Sequence, residues 1–172
     1  MDLRPIPDRA ALLVNHEILA VADLHIGLEE KLREAGVNLP SLGERMADEI
    51  EGIAKQYGAA RLVLAGDVKH FVPRMASQER RDVYRFFQRL QEVFEEIYVA
   101  QGNHAGMLRH IVPRSVRFRS PHGFVLDDVG FCHGHAWPYR KVMAADVLVM
   151  GHNHPAVLAA TRAGRLARQK RH

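Results

Sequence analysis

Five short apolar runs in this 172-residue chain each end in a cluster of aspartate, asparagine or histidine, and that repetition constrains the fold more than any other feature. The runs span 17–22, 61–65, 97–100, 129–132 and 146–150. The clusters that close them are Asp23-Leu24-His25, Gly66-Asp67, Gly102-Asn103-His104, His133-Gly134-His135 and Gly151-His152-Asn153-His154. Apolar runs this short, bounded by glycine and polar residues, read as buried strands. In open α/β sheets the loops leaving the C-terminal ends of parallel strands converge, and ligands bind there. Five segments distant in sequence are therefore expected to aim their polar side chains at one point.

Helical periodicity separates the early strands. Residues 41–57 predict a helix, with Ser41 and Glu44 in capping-box spacing and Gly58 as the stop. Residues 77–95 predict a longer one, with Val83, Phe86, Phe87, Leu90 and Phe94 along one side, where they read as core. A strand at 11–14 precedes the first run, and after Pro113 further strands are expected at 116–118 and 124–126, with a turn at Asp127-Asp128. Strands separated by helices, followed by a strand-rich second half, predict the α/β class. The expected architecture is a layered α/β/β/α sandwich of mixed sheets, with a metal site at the strand C-terminal ends. No repeat, linker or shift in composition divides the chain. One domain over residues 1–172 is expected, with a short basic tail from about residue 160.

Hydrophobic residues make up 47% of the chain and charged residues 26%, the balance of a soluble globular protein rather than a disordered one. No apolar run approaches the roughly 20 residues that span a bilayer. The opening Met1-Asp2-Leu3-Arg4-Pro5-Ile6-Pro7 lacks a charged segment followed by an apolar stretch, so no export signal is expected. One cysteine, Cys132, cannot form an internal disulfide, and the expected address is the cytoplasm. The net charge of +4 lies partly in Arg162, Arg165, Arg168, Lys170 and Arg171, a tail that either touches an anionic partner or is simply solvated.

Histidine is the unusual count, at eleven. Carboxylate, amide oxygen and imidazole together suit borderline divalent ions such as Mn²⁺, Fe²⁺ and Zn²⁺, and the lack of clustered cysteines argues against a structural zinc site. On extended backbone a spacing of one residue points two side chains the same way, so Asp23 with His25, and His152 with His154, can each serve one site. Glycines beside them let the backbone turn sharply and a substrate approach. Taken singly, Asp-x-His arises by chance and Gly-Asp is an ordinary turn. Gly-Asn-His and Gly-His-x-His are more specific, and the ordered set of five more specific again. Cys132 reads as a small core residue. Trp137 and Tyr139 either stack on a base or pack within their loop. Lys69, Arg74 and Lys141 either meet a phosphate or are solvated.

The order and identity of these residues, from Asp23 to His154, resemble the calcineurin-like metallophosphoesterase superfamily. Gly66-Asp67-Val68-Lys69-His70 and the compact length look like its small stand-alone members related to the SbcD-type repair nuclease, which include archaeal phosphoesterases and the bacterial ligase-associated DNA damage response endonuclease. The resemblance implies two divalent metal ions, with Mn²⁺ expected first and Fe²⁺ or Zn²⁺ as alternatives. It implies that Asp23, His25 and His154 hold one metal, that Asn103, His133 and His152 hold the other, and that Asp67 bridges both. Two cations about 3.5–4 Å apart clamp phosphate oxygens and activate water for in-line attack. His104 would then stabilise the transition state or protonate the leaving oxygen, His70 would approach the metals in the same way, and His135 and Lys69 would support a ligand or meet the substrate. Two positions depart from the family pattern. Ala105 stands where an acid usually orients the histidine, and the chain ends eighteen residues after His154.

The function expected on these grounds is metal-dependent hydrolysis of phosphodiesters, as a nuclease or nucleotide phosphodiesterase linked to DNA repair. A phosphomonoesterase is the nearest alternative. A weakly catalytic metal-binding module recognising nucleic acid or a protein is an alternative of another class. The expected partner is a phosphodiester or nucleic acid and not a membrane, with a second subunit covering any sheet edge that the short C-terminus leaves open.

Overall fold

The apolar runs pair in an order that sends their C-terminal ends to one side. In the computed structural model, all residues are described except 8, 10, 35, 38, 39, 71–76, 155, 161–165, 171 and 172, and the side chains of 31, 33, 34, 156–160 and 166–170 are likewise left out. Six strands form one sheet in chain order: β1 (Leu3–Pro5), β2 (Ala11–Val14), β3 (Ile18–Val21), β4 (Arg61–Leu64), β5 (Glu96–Ala100) and β6 (Arg117–Arg119). The first two pairings are antiparallel, and β3 through β6 run parallel. A second mixed sheet contains β7 (Phe124–Leu126), β8 (Val129–Cys132) and β9 (Val147–Met150), with β8 and β9 parallel.

The parallel strands of the first sheet are buried on both faces, which is why their sequences read as continuous apolar runs and not as alternation. Leu19, Val21, Leu62, Leu64, Ile97 and Val99 face α2 (Leu42–Tyr57) and α3 (Ser77–Gln91), against Ile50, Phe86, Phe87 and Leu90. The alternate residues Ile18, Ala20, Val63, Tyr98 and Ala100 face the second sheet, against Phe124, Val129 and Phe131. Rings join the two sheets: Tyr98 stacks on Phe124 at 5.6 Å, and Phe124 on Phe131 at 5.6 Å. Beyond the second sheet lies one short helix, α4 (Arg140–Met143), whose Val142 packs over Gly130 and Gly123. The layers are helix, sheet, sheet and helix, as expected, with the outer helical layer reduced to about one turn.

Several details differ from expectation. α1 (Leu28–Glu34) is an additional helix, and α3 ends at Gln91 and not at residue 95. Ser41 occupies the N-cap of α2 without capping it through its side chain; the amide of Leu42 donates instead to Glu29 Oε1 at 3.0 Å. Gly58, at φ 71°, closes α2 with its N–H on the Ala54 carbonyl. Residues beyond 155 do not form a loose tail throughout, because β10 (Ala156–Ala160) pairs antiparallel with β11 (Leu166–Lys170). Arg168 and Lys170 lie in β11, whereas Arg162, Arg165 and Arg171, like Arg74, lie outside the described residues. No helix among the described residues is long and apolar enough to cross a membrane.

Candidate metal centre

All five clusters leave C-terminal strand ends, three from the first sheet and two from the second, so the centre lies where the two sheets face each other. Backbone hydrogen bonds tie the first two loops together: His25 N–H to the Asp67 carbonyl at 2.9 Å, Ile26 N–H to Val68 at 2.9 Å and His70 N–H to Ile26 at 3.0 Å. The loops are not extended, contrary to the spacing argument. Asp23, His25, Asp67, His152 and His154 have φ of 56°, 48°, 43°, 71° and 38°. Non-glycine residues in that left-handed region cost energy and collect at functional sites. The glycines serve close packing of these side chains on backbone: a Cβ at Gly66 would overlap the His133 ring, and one at Gly102 would overlap the Asp67 carboxylate.

Two groups of potential ligands result. Asp23, His25 and His154 offer atoms within 4.8 Å of one another, and so do Asp67, His133 and His152. Asn103 joins the second group, its Oδ1 lying 3.0 Å from His133 Nε2, which is also 3.2 Å from Asp67 Oδ2. His133 is fully buried, and its Nδ1 donates to the Ala65 carbonyl at 3.0 Å, leaving Nε2 as the atom that faces the amide and carboxylate oxygens. An imidazole lone pair and two oxygens at these separations repel one another unless a proton or a cation lies between them. In the first group Asp23 Oδ1 and His25 Nδ1 are buried without a hydrogen-bond partner, while Asp23 Oδ2 accepts the His152 N–H at 2.9 Å. Orphaned acceptors and oxygen–imidazole chemistry fit divalent cations.

The electrostatics agree. Burial alone would raise the Asp67 carboxyl, but the hydrogen bond from His133 and the His104 amide, at 2.9 Å, hold it at about 2. Burial pushes His133 down, yet its bond to Asp67 leaves the imidazole raised above 6.5. Burial lowers His25 to about 4, so it is neutral and able to ligate at ordinary pH.

His104 and His70 stand beside His25, the three offering atoms within 4.8 Å of one another. The orienting acid missing at Ala105 has a substitute that no side chain supplies: His104 Nδ1 hydrogen-bonds the His70 carbonyl, while its Nε2 lies 4.0 Å from Asp67 Oδ2. Lys69 has no accessible surface, and Glu79 and Asp67 face its charge. It is therefore placed to brace the loop rather than to touch a phosphate. His135 is exposed, with its ring 5.2 Å from His133 and 6.2 Å from His152. Sequence reasoning missed Glu79, fully buried at the start of α3, whose Oε1 accepts the His70 N–H at 3.0 Å. In sequence an acid in the first turn of a helix looks like a residue favoured by the helix dipole, and nothing distinguishes this one.

Comparison of the sequence with known protein families and with curated proteins finds no match. Among solved structures, the nuclease MPE of Pseudomonas putida superposes with a TM-score of 0.56 at 19% identity, over 90% of this chain and 75% of that one. The phosphoesterase Yfce from E. coli gives a TM-score of 0.44 at 18% identity, over 69% of this chain and 57% of that one. The chain shares its mixed α/β fold with the Pseudomonas putida nuclease.

Proposed function

We propose that this chain is a phosphoesterase that hydrolyses phosphodiesters with two divalent cations, as a nuclease or nucleotide phosphodiesterase serving DNA repair. The observation that carries the reading is the convergence of His133 Nε2, Asn103 Oδ1 and Asp67 Oδ2 at 3.0–3.2 Å, beside the orphaned acceptors of Asp23 and His25. Asp23, His25 and His154 would hold one cation, Asn103, His133 and His152 the other, and Asp67 both. Bound there, the cations supply Lewis-acid neutralisation of phosphate oxygens and a lowered water pKa. The donor set suits Mn²⁺, Fe²⁺ and Zn²⁺, and the family resemblance favours Mn²⁺ among them.

The protein's own groups supply the rest. His104, fixed through Nδ1 on the His70 carbonyl, presents Nε2 as the proton donor for the leaving oxygen. His70, braced through its amide on Glu79, lines the same side. His135 borders the opening from the second sheet. The DNA-repair assignment rests on the Gly66–His70 resemblance and on the fold shared with a protein described as a nuclease.

The test is hydrolysis of bis-p-nitrophenyl phosphate by purified protein supplied with Mn²⁺, with elemental analysis of the loaded protein. Turnover that falls about 10²–10⁴-fold in His104→Ala and disappears in Asp67→Asn is expected. Absence of turnover of either diester or monoester by the fully loaded protein would sink the catalytic reading. A monoester rate well above the diester rate would make it a phosphomonoesterase.

A further inference from the structure

Past His135 the chain builds a surface that the metal centre does not use. Trp137, the single tryptophan, is 86% exposed. Its loop is held: His122 Nδ1 donates to the Trp137 carbonyl at 2.8 Å, and the Tyr139 N–H donates to the His122 carbonyl at 2.9 Å. Tyr139, itself 47% exposed, lies 5.0 Å from the His122 ring, and its hydroxyl accepts from Ser120 at 3.3 Å. The two aromatic side chains thus stand in water on a backbone braced from two segments. Only one residue, Ala136, and at most roughly 7 Å of backbone separate Trp137 from His135 beside the candidate ligands.

The chain segments that carry them hold charge of one sign. Arg140 and Lys141 are exposed and form no ion pair among the described residues, whereas the exposed Arg119 is held over the Tyr98 and Phe124 rings, at 5.3 and 5.7 Å. Residues 117–126 and 133–145 contain no aspartate or glutamate. Exposed rings interleaved with unpaired cations suit a polyanion that carries π faces, namely a nucleic acid whose bases are free to stack. An apolar protein partner would account for the rings but not for the absence of acids.

We propose that Trp137 and Tyr139, braced by His122 and followed by Arg140 and Lys141, form a stacking surface for single-stranded nucleic acid leading into the metal centre. The substrate is then a polynucleotide rather than a mononucleotide or small diester. This deepens the phosphoesterase reading and rests on it for the chemistry, while the binding needs no metal.

The single tryptophan makes the test direct. Full-length protein in chelator is titrated with oligothymidylate and with oligouridylate, each roughly ten nucleotides long, and with a duplex of the same length. Saturable quenching of tryptophan fluorescence by the single strands, with weaker binding of the duplex, is expected; whichever homopolymer binds more tightly assigns DNA or RNA. With labelled oligonucleotide, Trp137→Ala and Tyr139→Ala should each weaken binding about tenfold. Arg140→Ala combined with Lys141→Ala should flatten the salt dependence by roughly 0.7 for each phosphate no longer neutralised. Tyr84→Ala, on α3 at the far side of the first sheet, is the control and should bind as the parent does. No quenching by either homopolymer, or parent affinity in Trp137→Ala, would overturn the proposal. So would emission that shifts to the blue with protein concentration alone, which would mark the surface as a contact between copies. Because no hydrolysis is measured, a failure here is separate from a failure of the diester assay.

Discussion

At the scale of single residues, the second group of candidate ligands behaves as a proton trap in place of a cation. His133 is raised by Asp67, so without metal it keeps its proton above the ordinary range near 6.5. Metal and proton then compete for Nε2, so Mn²⁺ affinity should rise as pH increases from about 6.5, and binding should release protons. Calorimetry in buffers of different ionisation enthalpy reads that release; pH-independent binding would contradict it. His25 acts in the opposite sense. Its folded value of about 4 lies below 6.5, so the neutral form favours the fold, and stability present above about 6.5 is lost as pH falls toward 4. The Tm of metal-free protein should drop over that window, and His25→Asn should remove most of the drop. Gly102 supplies a third test. A methyl group there meets the Asp67 carboxylate, so Gly102→Ala should cost about 10–100-fold in metal affinity, measured by titration.

At the scale of elements, the start of α2 separates what sequence carries from what it does not. Strands β2, β7 and β8 fall on the residues that the pattern predicts, because short runs with turn residues on both sides leave little choice of boundary. The capping box does not form. Glu29 takes the Leu42 amide through Oε1 and the Gly27 amide, at 3.1 Å, through Oε2, and Ser41 Oγ is left buried without a partner. A side chain thirteen residues upstream has no local signature. The same holds for the His70 carbonyl that orients His104, since a backbone atom has no letter in the sequence. For the clusters, the sequence carries residue types and order, but the one-residue spacing predicts extended backbone where Asp23 and His25 are left-handed. Glu29→Ala should destabilise the protein by about 2–3 kcal/mol in urea unfolding, since two amides lose their bonds to a charged group. Ser41→Ala should be neutral or slightly stabilising; the reverse ranking would restore the capping box.

At the scale of the whole molecule, two sheets held together by Tyr98, Phe124 and Phe131 set the spacing of the loops at their ends. Phe131→Ala should cost about 3–5 kcal/mol of stability, because a buried ring leaves a cavity that the strands cannot close. It should also loosen metal binding, although Phe131 is none of the proposed ligands; calorimetric titration of the folded variant checks this. Added Mn²⁺ should raise the Tm of the parent protein with increasing concentration and do so far less in Asp67→Asn.

Each proposed cation draws on both sheets, Asp23 and His25 meeting His154 in one group, and Asp67 meeting His133 and His152 in the other. A bound ion therefore closes the outer end of a seam whose interior is closed by rings. That end can form only after the seam has formed, since its parts lie as far apart in the chain as residues 23 and 154. The consequence is one of timing. Metal should slow unfolding and leave refolding unhurried, acting as a latch fastened after the door has shut.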